Sequence, residues 1–319
     1  MMELASDMIE EILSWVPSRS LLRLKTTCKQ WETLIAEPRF IKKHLSNMRG
    51  RVQQFIVLNH NSNTEVAYST STLSCVVFNP LLKQSRWIKC GYHLKDVSGY
   101  GLGCISSNQS LGHSDYRIVR FLCGPCDVGK SRIEVYELKS DSWRVVVDKS
   151  FEGFFNLPEY SVCLRGTPYW LGYLNGKPFA TIQSFDFSKE RFESLFLPPS
   201  CIESKKLENS LSLGVFREDR FSLLHKCRDT NKLHLWVMKK HWSRLMTVSP
   251  PEFYMCPKFS SHFVEKNGRL VLSVRGLGYT SIYIVGKNQE FQKVKCSSID
   301  PSTGGSCYYY VPSLLPVPG

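Results

Sequence analysis

From residue 52 to the end, the chain repeats one short pattern at a nearly constant interval. A strand-like run, a polar turn and an aromatic beside or near Lys or Arg recur as VVFNPLLKQSRWIK (76–89), EVYELKSDSWR (134–144), QSFDFSKERFE (183–193), HLWVMKKHWSR (234–244) and YIVGKNQEFQK (283–293). The closing aromatics are Trp87, Trp143, Phe192, Trp242 and Phe291, separated by 56, 49, 50 and 49 residues. Upstream of four copies, about 21 residues before the aromatic, lies another strand-like run: RIVRFL, PYWLGYL, RFSLLHK and RLVLSVR. Three of these are preceded by a further candidate, at 161–165, 211–216 and 262–265. A fixed period of this size marks stacked units that cannot bury their apolar faces alone. Four short strands per period is the blade of a β-propeller or of an open relative of one. An irregular β-sandwich with fortuitous spacing is the competing reading.

The first 48 residues follow a different rule. Met8, Ile9, Ile12, Leu13 and Val16 recur at helical spacing and make one apolar stripe. Asp7 with Glu10 resembles a capping box, and Pro17 stops the helix. Leu21, Leu22 and Leu24 follow Ser20. A third helix is announced by the Thr27–Gln30 capping box and carries Trp31, Leu34 and Ile35 before Pro38 ends it. Three helices this short bury little surface, so the module is expected to complete its core against a partner. The division expected is therefore a helical part over 1–48 and an all-β part over 49–319, an α+β fold in two parts.

No apolar run approaches the ~18 residues of a membrane span. The opening MMELASDMIEEIL carries acids where a secretory peptide would carry Lys or Arg. A soluble intracellular protein, nuclear and/or cytoplasmic, is expected. The 12 cysteines are mostly scattered singly, as small buried hydrophobes in a reducing compartment are. The net charge of +13 admits nucleic acid or acidic partners. Eight Lys/Arg against three acids fall in 217–244, whereas most other segments mix both signs. A solvated basic face is the plainer reading, and no RNA-recognition signature accompanies it.

Several motifs have the letters of a chemistry without its context. Gly124 to Ser131 (GPCDVGKS) matches a phosphate-binding loop in which Lys130 neutralises phosphate and Ser131 holds magnesium. That site needs a helix behind the loop, and RIEVYELKSDSW reads as a strand. Cys123 and Cys126 have redox-pair spacing but lack the same helix, and no second pair makes a zinc site. Gly99, Gly101 and Gly103 read as a glycine-rich bend, and Asn108 as an unused glycosylation site. No catalytic residue, metal ligand or cofactor is assigned.

LASDMIEEILSWVPSRSLLRLKTTCKQWETLIAEPRF strongly resembles an F-box. The matching pieces are Leu4-Ala5, Glu11-Ile12-Leu13, Val16-Pro17, Ser20-Leu21, Cys28-Lys29-Gln30-Trp31 and Pro38-Arg39-Phe40. Ala5 replaces a proline that in the family packs on the partner, which is expected to weaken docking. VVFNPLLKQSRWI, YRIVRF, IEVYELKSDSWR, GTPYWL, SFDFSKERF and YVPSLLPV resemble the F-box-associated domain of a large plant family. The family's Cys-Asn-Gly-Leu segment is not evident ahead of the first copy.

The resemblance implies a non-catalytic substrate adaptor of a cullin-RING ubiquitin ligase. Its F-box would dock on a Skp-type adaptor while the β-domain captures a protein substrate through loops at one end. By family role the docking surface comprises Leu4, Ile12, Leu13, Val16, Pro17, Leu21, Leu22 and Trp31. The repeat aromatics are assigned to packing. The alternative function is a basic β-domain binding nucleic acid or acidic partners outside a ligase. A hydrolase using Lys130 and Ser131 is the third reading.

Overall fold

Two prolines cut the opening segment of the computed structural model into short helices. The structure describes residues 6–47, 56–60, 74–89, 97–105, 116–122, 132–147, 154–156, 161–174, 180–195, 197, 211–217, 219–227, 229–250, 258–265, 267–275, 280–286, 288–294, 313–314 and 316–317. Helices α1 (Ser6–Ser14), α2 (Ser18–Leu24), α3 (Lys29–Ala36) and α4 (Pro38–Asn47) come first. Pro17 caps α2, as expected of a residue that ends one helix. Pro38 does not end the helical part but opens a fourth helix, because a missing N–H is harmless in a first turn. The cap of α3 is Cys28, whose Sγ accepts from the Trp31 N–H at 3.4 Å. Thr27 Oγ1 instead donates to the Leu24 carbonyl at 2.7 Å.

Glu10 makes no capping box with Asp7. It is buried against α4, paired with Arg39 and with Lys43 at 3.3 Å. The buried His44 ring fastens the same junction. Its Nδ1 lies 2.9 Å from the Ser14 carbonyl, which can only accept, so Nδ1 carries the proton. Nε2 then accepts from the Ser18 hydroxyl at 3.0 Å. Leu13, Leu21, Ile35, Phe40, Ile41 and Leu45 fill the space between the helices.

The remaining described elements are all strands, in meandering antiparallel sheets. The first sheet has three strands, β1 (Ile56–His60), β2 (Ser74–Asn79) and β3 (Gln84–Lys89). The second has four, β4 (Val97–Cys104), β5 (Tyr116–Leu122), β6 (Arg132–Glu137) and β7 (Ser142–Val146). In the third, β8 (Phe154–Asn156) and β9 (Val162–Leu164) both pair with β10 (Thr167–Leu174), followed by β11 (Ala180–Asp186) and β12 (Arg191–Leu195).

The fourth meander is β13 (Leu211–Phe216), β14 (Arg220–Lys226), β15 (Leu233–Met238) and β16 (Trp242–Val248). The fifth is β17 (Lys258–Val264), β18 (Leu270–Arg275), β19 (Thr280–Val285) and β20 (Phe291–Val294). A single parallel pairing, Phe216 opposite Val264, joins the first strands of these two meanders. The architecture is thus a helical F-box-like part followed by an all-β, propeller-like domain of the period read from the sequence.

Each closing aromatic lies on the last strand of its sheet, and the upstream runs are β5, β10, β14 and β18, in every case two strands earlier. The polar turns that lead into the last strands of the first, second, third and fifth sheets have a common cause. Lys83, Asp141, Glu190 and Gln289 sit there at φ of 54, 51, 52 and 63°, a left-handed conformation that reverses the chain tightly. Asn79 and Asp186 support two of these turns by accepting backbone N–H groups two and three residues on.

The glycine cluster at 99–103 is not a bend but part of β4. Its glycines are required by what presses on that strand. A Cβ on Gly101 would lie 2.4 Å from Trp170 and 2.7 Å from Pro168 on β10, and one on Gly103 would lie 2.4 Å from the Gly166 carbonyl. Trp170 is fully buried there, and its Nε1–H donates to the Tyr100 carbonyl at 3.1 Å. Phe121, Phe185 and Phe192 surround it, with ring centroids 5.2–6.0 Å apart within this group.

Neighbouring sheets are also clamped at their outer turns. Arg86 on β3 reaches the Leu138 carbonyl at 3.0 Å and Asp141 at 2.8 Å in the second sheet. Arg144 on β7 grips both oxygens of Glu190 in the third sheet. Arg120 and Glu134 are buried between the first and second sheets, bonded at 2.8 Å, with Arg120 3.8 Å above the Trp143 ring. Four closing aromatics pack against apolar neighbours, but Trp87 is 56% exposed, contrary to the packing role expected of it.

The chain end returns to the first sheet. Asn79 Nδ2 donates to the Ser313 carbonyl at 3.1 Å, and the Val317 N–H donates to Gln84 Oε1 at 3.0 Å. Leu314 is buried in the core cluster that contains Cys75, Val77 and Ile88.

Gly101→Ala is expected to lower stability by about 1–3 kcal/mol through overpacking against Trp170. An unchanged urea midpoint would show that β4 and β10 are not in this contact. A second expectation concerns histidine. Burial holds His225 at a pKa of about 4 and His262 at about 3. His262 bridges the Ser222 and Ser212 hydroxyls at 3.0 and 3.1 Å. Both are neutral in the folded chain where the unfolded chain, at about 6.5, takes up protons. Stability is therefore full above pH 6.5 and falls with pH below it, by up to about 1.4 kcal/mol per pH unit for each ring. Urea midpoints between pH 7 and 5 should fall less steeply in His262→Gln than in the parent chain; equal slopes would contradict the assignment.

Candidate docking surface

Helix α1 has two faces of opposite character. Glu10, Leu13 and Ser14 turn inward to α4, held by the ion pairs and the His44 bond. Met8, Ile12 and Trp15 lie at i, i+4 and i+7 and so share the other face. They are 55%, 56% and 58% exposed, three of the largest exposed apolar side chains among the described residues. Trp15 is oriented by an Nε1–H bond to Glu11 Oε1 at 3.0 Å, so its ring is presented to solvent in a defined position. Glu11 is in turn paired with Lys43 at 2.8 Å.

The residues assigned to docking from the family pattern separate into groups. Ile12 and Pro17 are exposed; Val16, Leu22 and Trp31 are half-buried. Leu13 and Leu21 are 4% and 0% exposed and belong to the core of the helices, so they shape the surface from beneath. Leu4 lies outside the described residues. Trp31 lines a groove of about 420 Å³ with Ile9, Leu34, Gln30, Glu37 and Arg39. Met8 and Trp15, exposed beside Ile12, are not among the residues expected at the docking surface, although their spacing with Ile12 is visible in the sequence. Spacing defines a stripe, but only packing tells which stripe of a helix is covered.

The Gly124–Ser131 loop, the Cys123 and Cys126 pair and Asn108 lie outside the described residues. The loop is bracketed by β5 and β6, and β6 is a strand where a phosphate-binding loop needs a helix. Among the described residues, no group of three or more His, Cys, Asp or Glu is arranged to hold a metal ion. None of the described helices is long and apolar enough to cross a membrane.

Comparison with known proteins accounts for both parts of the chain. Residues 1–43 match the F-box domain family, and residues 66–317 match the family described as F-box associated beta propeller domain. The F-box/WD-40 repeat-containing protein 1 of Arabidopsis thaliana is 31% identical over 372 residues, covering 98% of this chain and 88% of the relative. Another F-box protein of that plant is 32% identical, covering 98% of this chain and 95% of the relative. Among solved structures, the β-propeller domain of the Trilobed protease from Pyrococcus furiosus aligns with a TM-score of 0.38 at 11% identity, over 76% of this chain and 81% of that one. With a family model spanning most of the chain behind an F-box, and full-length relatives that carry the same name, the chain belongs to the F-box proteins with an F-box-associated β-propeller domain.

Proposed function

We propose that this protein is the substrate-recognition subunit of a Skp-cullin-F-box ubiquitin ligase. The exposed stripe of Met8, Ile12 and Trp15 is the observation that supports the reading most directly. Side chains this large and apolar, over half exposed on one helix face, mark a surface that a partner covers. The occupant is a Skp-type adaptor, in keeping with the F-box family of residues 1–43. The docking surface comprises Met8, Ile12, Trp15 and Pro17, flanked by Val16, Leu22 and Trp31. Leu13 and Leu21 hold α1 and α2 in register behind it.

In this reading the protein carries no catalytic group. Its F-box occupies the adaptor while the sheets of residues 49–319 hold a protein substrate, so ubiquitin transfer becomes effectively intramolecular. Proximity alone raises the local substrate concentration, without new chemistry. The complex acts in the nucleus and/or cytoplasm.

Ile12→Asp combined with Trp15→Asp is expected to abolish capture of the adaptor and cullin, since apolar anchors at an interface often contribute about 2 kcal/mol or more each. Both side chains are largely in water already, so the variant should melt within a few degrees of the parent. Leu13→Asp, by contrast, buries a charge and is expected to unfold the helices. Pull-down with purified adaptor and cullin, alongside thermal melts, checks all three. Full capture by the folded double variant would remove the docking assignment.

A further inference from the structure

Within the Met8, Ile12 and Trp15 stripe, only Trp15 has a side-chain N–H, and the chain itself engages it. Helix α1 ends at Ser14, one residue earlier. The Trp15 backbone N–H goes to the Ile12 carbonyl at 3.2 Å, and that of Val16 to the Leu13 carbonyl at 3.0 Å, the tighter bonding of a last turn. Helix ends fray, so the pose of this ring depends on what its side chain meets.

It meets a divided carboxylate. Glu11, one turn back, accepts the Trp15 Nε1–H on Oε1 at 3.0 Å and faces the Lys43 ammonium with Oε2 at 2.8 Å. Lys43 holds the Glu11 carboxyl below its ordinary range, with Trp15 adding to the effect, so the group is ionised and both oxygens accept. The ammonium has a fixed origin. Lys43 is half-buried on α4, and α4 is bound to α1 both before and after it in the chain: by Arg39 with Glu10, and by Asn47 Nδ2 donating to Ser14 Oγ at 2.7 Å. Lys43 itself lies 3.3 Å from Glu10.

We infer that Lys43 is a positioning residue for docking: it fixes Glu11, and Glu11 fixes the Trp15 ring in the pose offered to the adaptor. The inference rests on the docking reading above and extends control of that surface to a residue outside it. A mobile indole would have to be immobilised as the adaptor binds, whereas one ordered beforehand avoids that loss of freedom. Ion pairs as exposed as Glu11 with Lys43 add little to stability, so the effect falls on affinity and not on the fold. Removing the Lys43 charge leaves the buried Glu10 still paired with Arg39.

The test measures the Kd of a purified Skp-type adaptor for the full chain and for Lys43→Met, Glu11→Ala, the two combined, and Lys43→Arg. Each of the first two changes is expected to weaken binding about two- to tenfold, the cost of ordering one side chain. Because the residues act in series, the combined variant should lose no more than Glu11→Ala alone. Lys43→Arg keeps the charge and should bind like the parent. Fluorotryptophan labelling supplies a second readout on the free chain, with the Trp15 fluorine resonance assigned by its loss in Trp15→Phe. That resonance should move toward the value of a solvated indole in Lys43→Met and stay in place in Lys43→Arg. Thermal midpoints should differ little among the variants, as for other surface changes. Parent-like affinity in Lys43→Met, or an unmoved Trp15 resonance, overturns the inference. So do additive losses in the combined variant, which would make Lys43 a direct contact of the adaptor. Binding by the parent with Lys43→Met unchanged removes this inference alone; no adaptor binding by the parent removes the docking reading itself.

Discussion

A short meandering sheet with two apolar faces can bury neither by itself, and the architecture of this protein follows from that constraint. The second, third and fourth sheets each contribute one face to the cluster before them and one to the cluster after. On β5, Ile118 belongs to the cluster shared with the first sheet, and Val119 and Phe121 to the one shared with the third. On β14 and β15, Leu224 and Leu235 face the fifth meander, while Leu223 and Trp236 face the third. Alternation along an inner strand therefore serves two interfaces at once, which is why apolar residues occupy both of its faces there.

Where two sheets approach most closely, the protein removes side chains from one of them. The β4 glycines let Trp170 and Pro168 lie against backbone, so the second and third sheets meet at a distance no larger residue would permit. Glycine costs a strand conformational entropy, and here the burial of Trp170 offsets it. Farther out, adhesion is ionic: Arg86 and Arg144 bind acids that occupy the left-handed position of the next sheet's outer turn. The turn residue thus both reverses its own chain and receives the neighbour. Such contacts at the rim are partly solvated and contribute modestly to stability, but their geometry sets the stagger between sheets.

The helices solve the same problem with less material. Four short helices enclose a small core around Leu13, Leu21 and Phe40, and their junction is tied by polar groups whose needs are met, His44 between Ser14 and Ser18 and Glu10 between Arg39 and Lys43. That core leaves the Met8, Ile12 and Trp15 face of α1 uncovered. Burial against α4 and exposure to solvent are consequently carried by opposite faces of one nine-residue helix. The division also explains why substitutions on the two faces should behave so differently.

Much of this was legible in the linear chain. The period near fifty residues, the strand positions within it and the helical opening follow from local propensity and spacing, because those signals reside in neighbouring residues. The family pattern likewise resides in contiguous motifs such as Cys28-Lys29-Gln30-Trp31. Tertiary structure decided what depends on residues far apart in the chain. Gly99 to Gly103 read as a bend because glycine is a poor strand former, and only Trp170, some seventy residues on, makes it a strand. Pro38 is equally compatible with ending one helix or beginning the next. Leu13 and Ile12 are adjacent and equally apolar, and it is the packing of α4 that places one in the core and leaves the other in water.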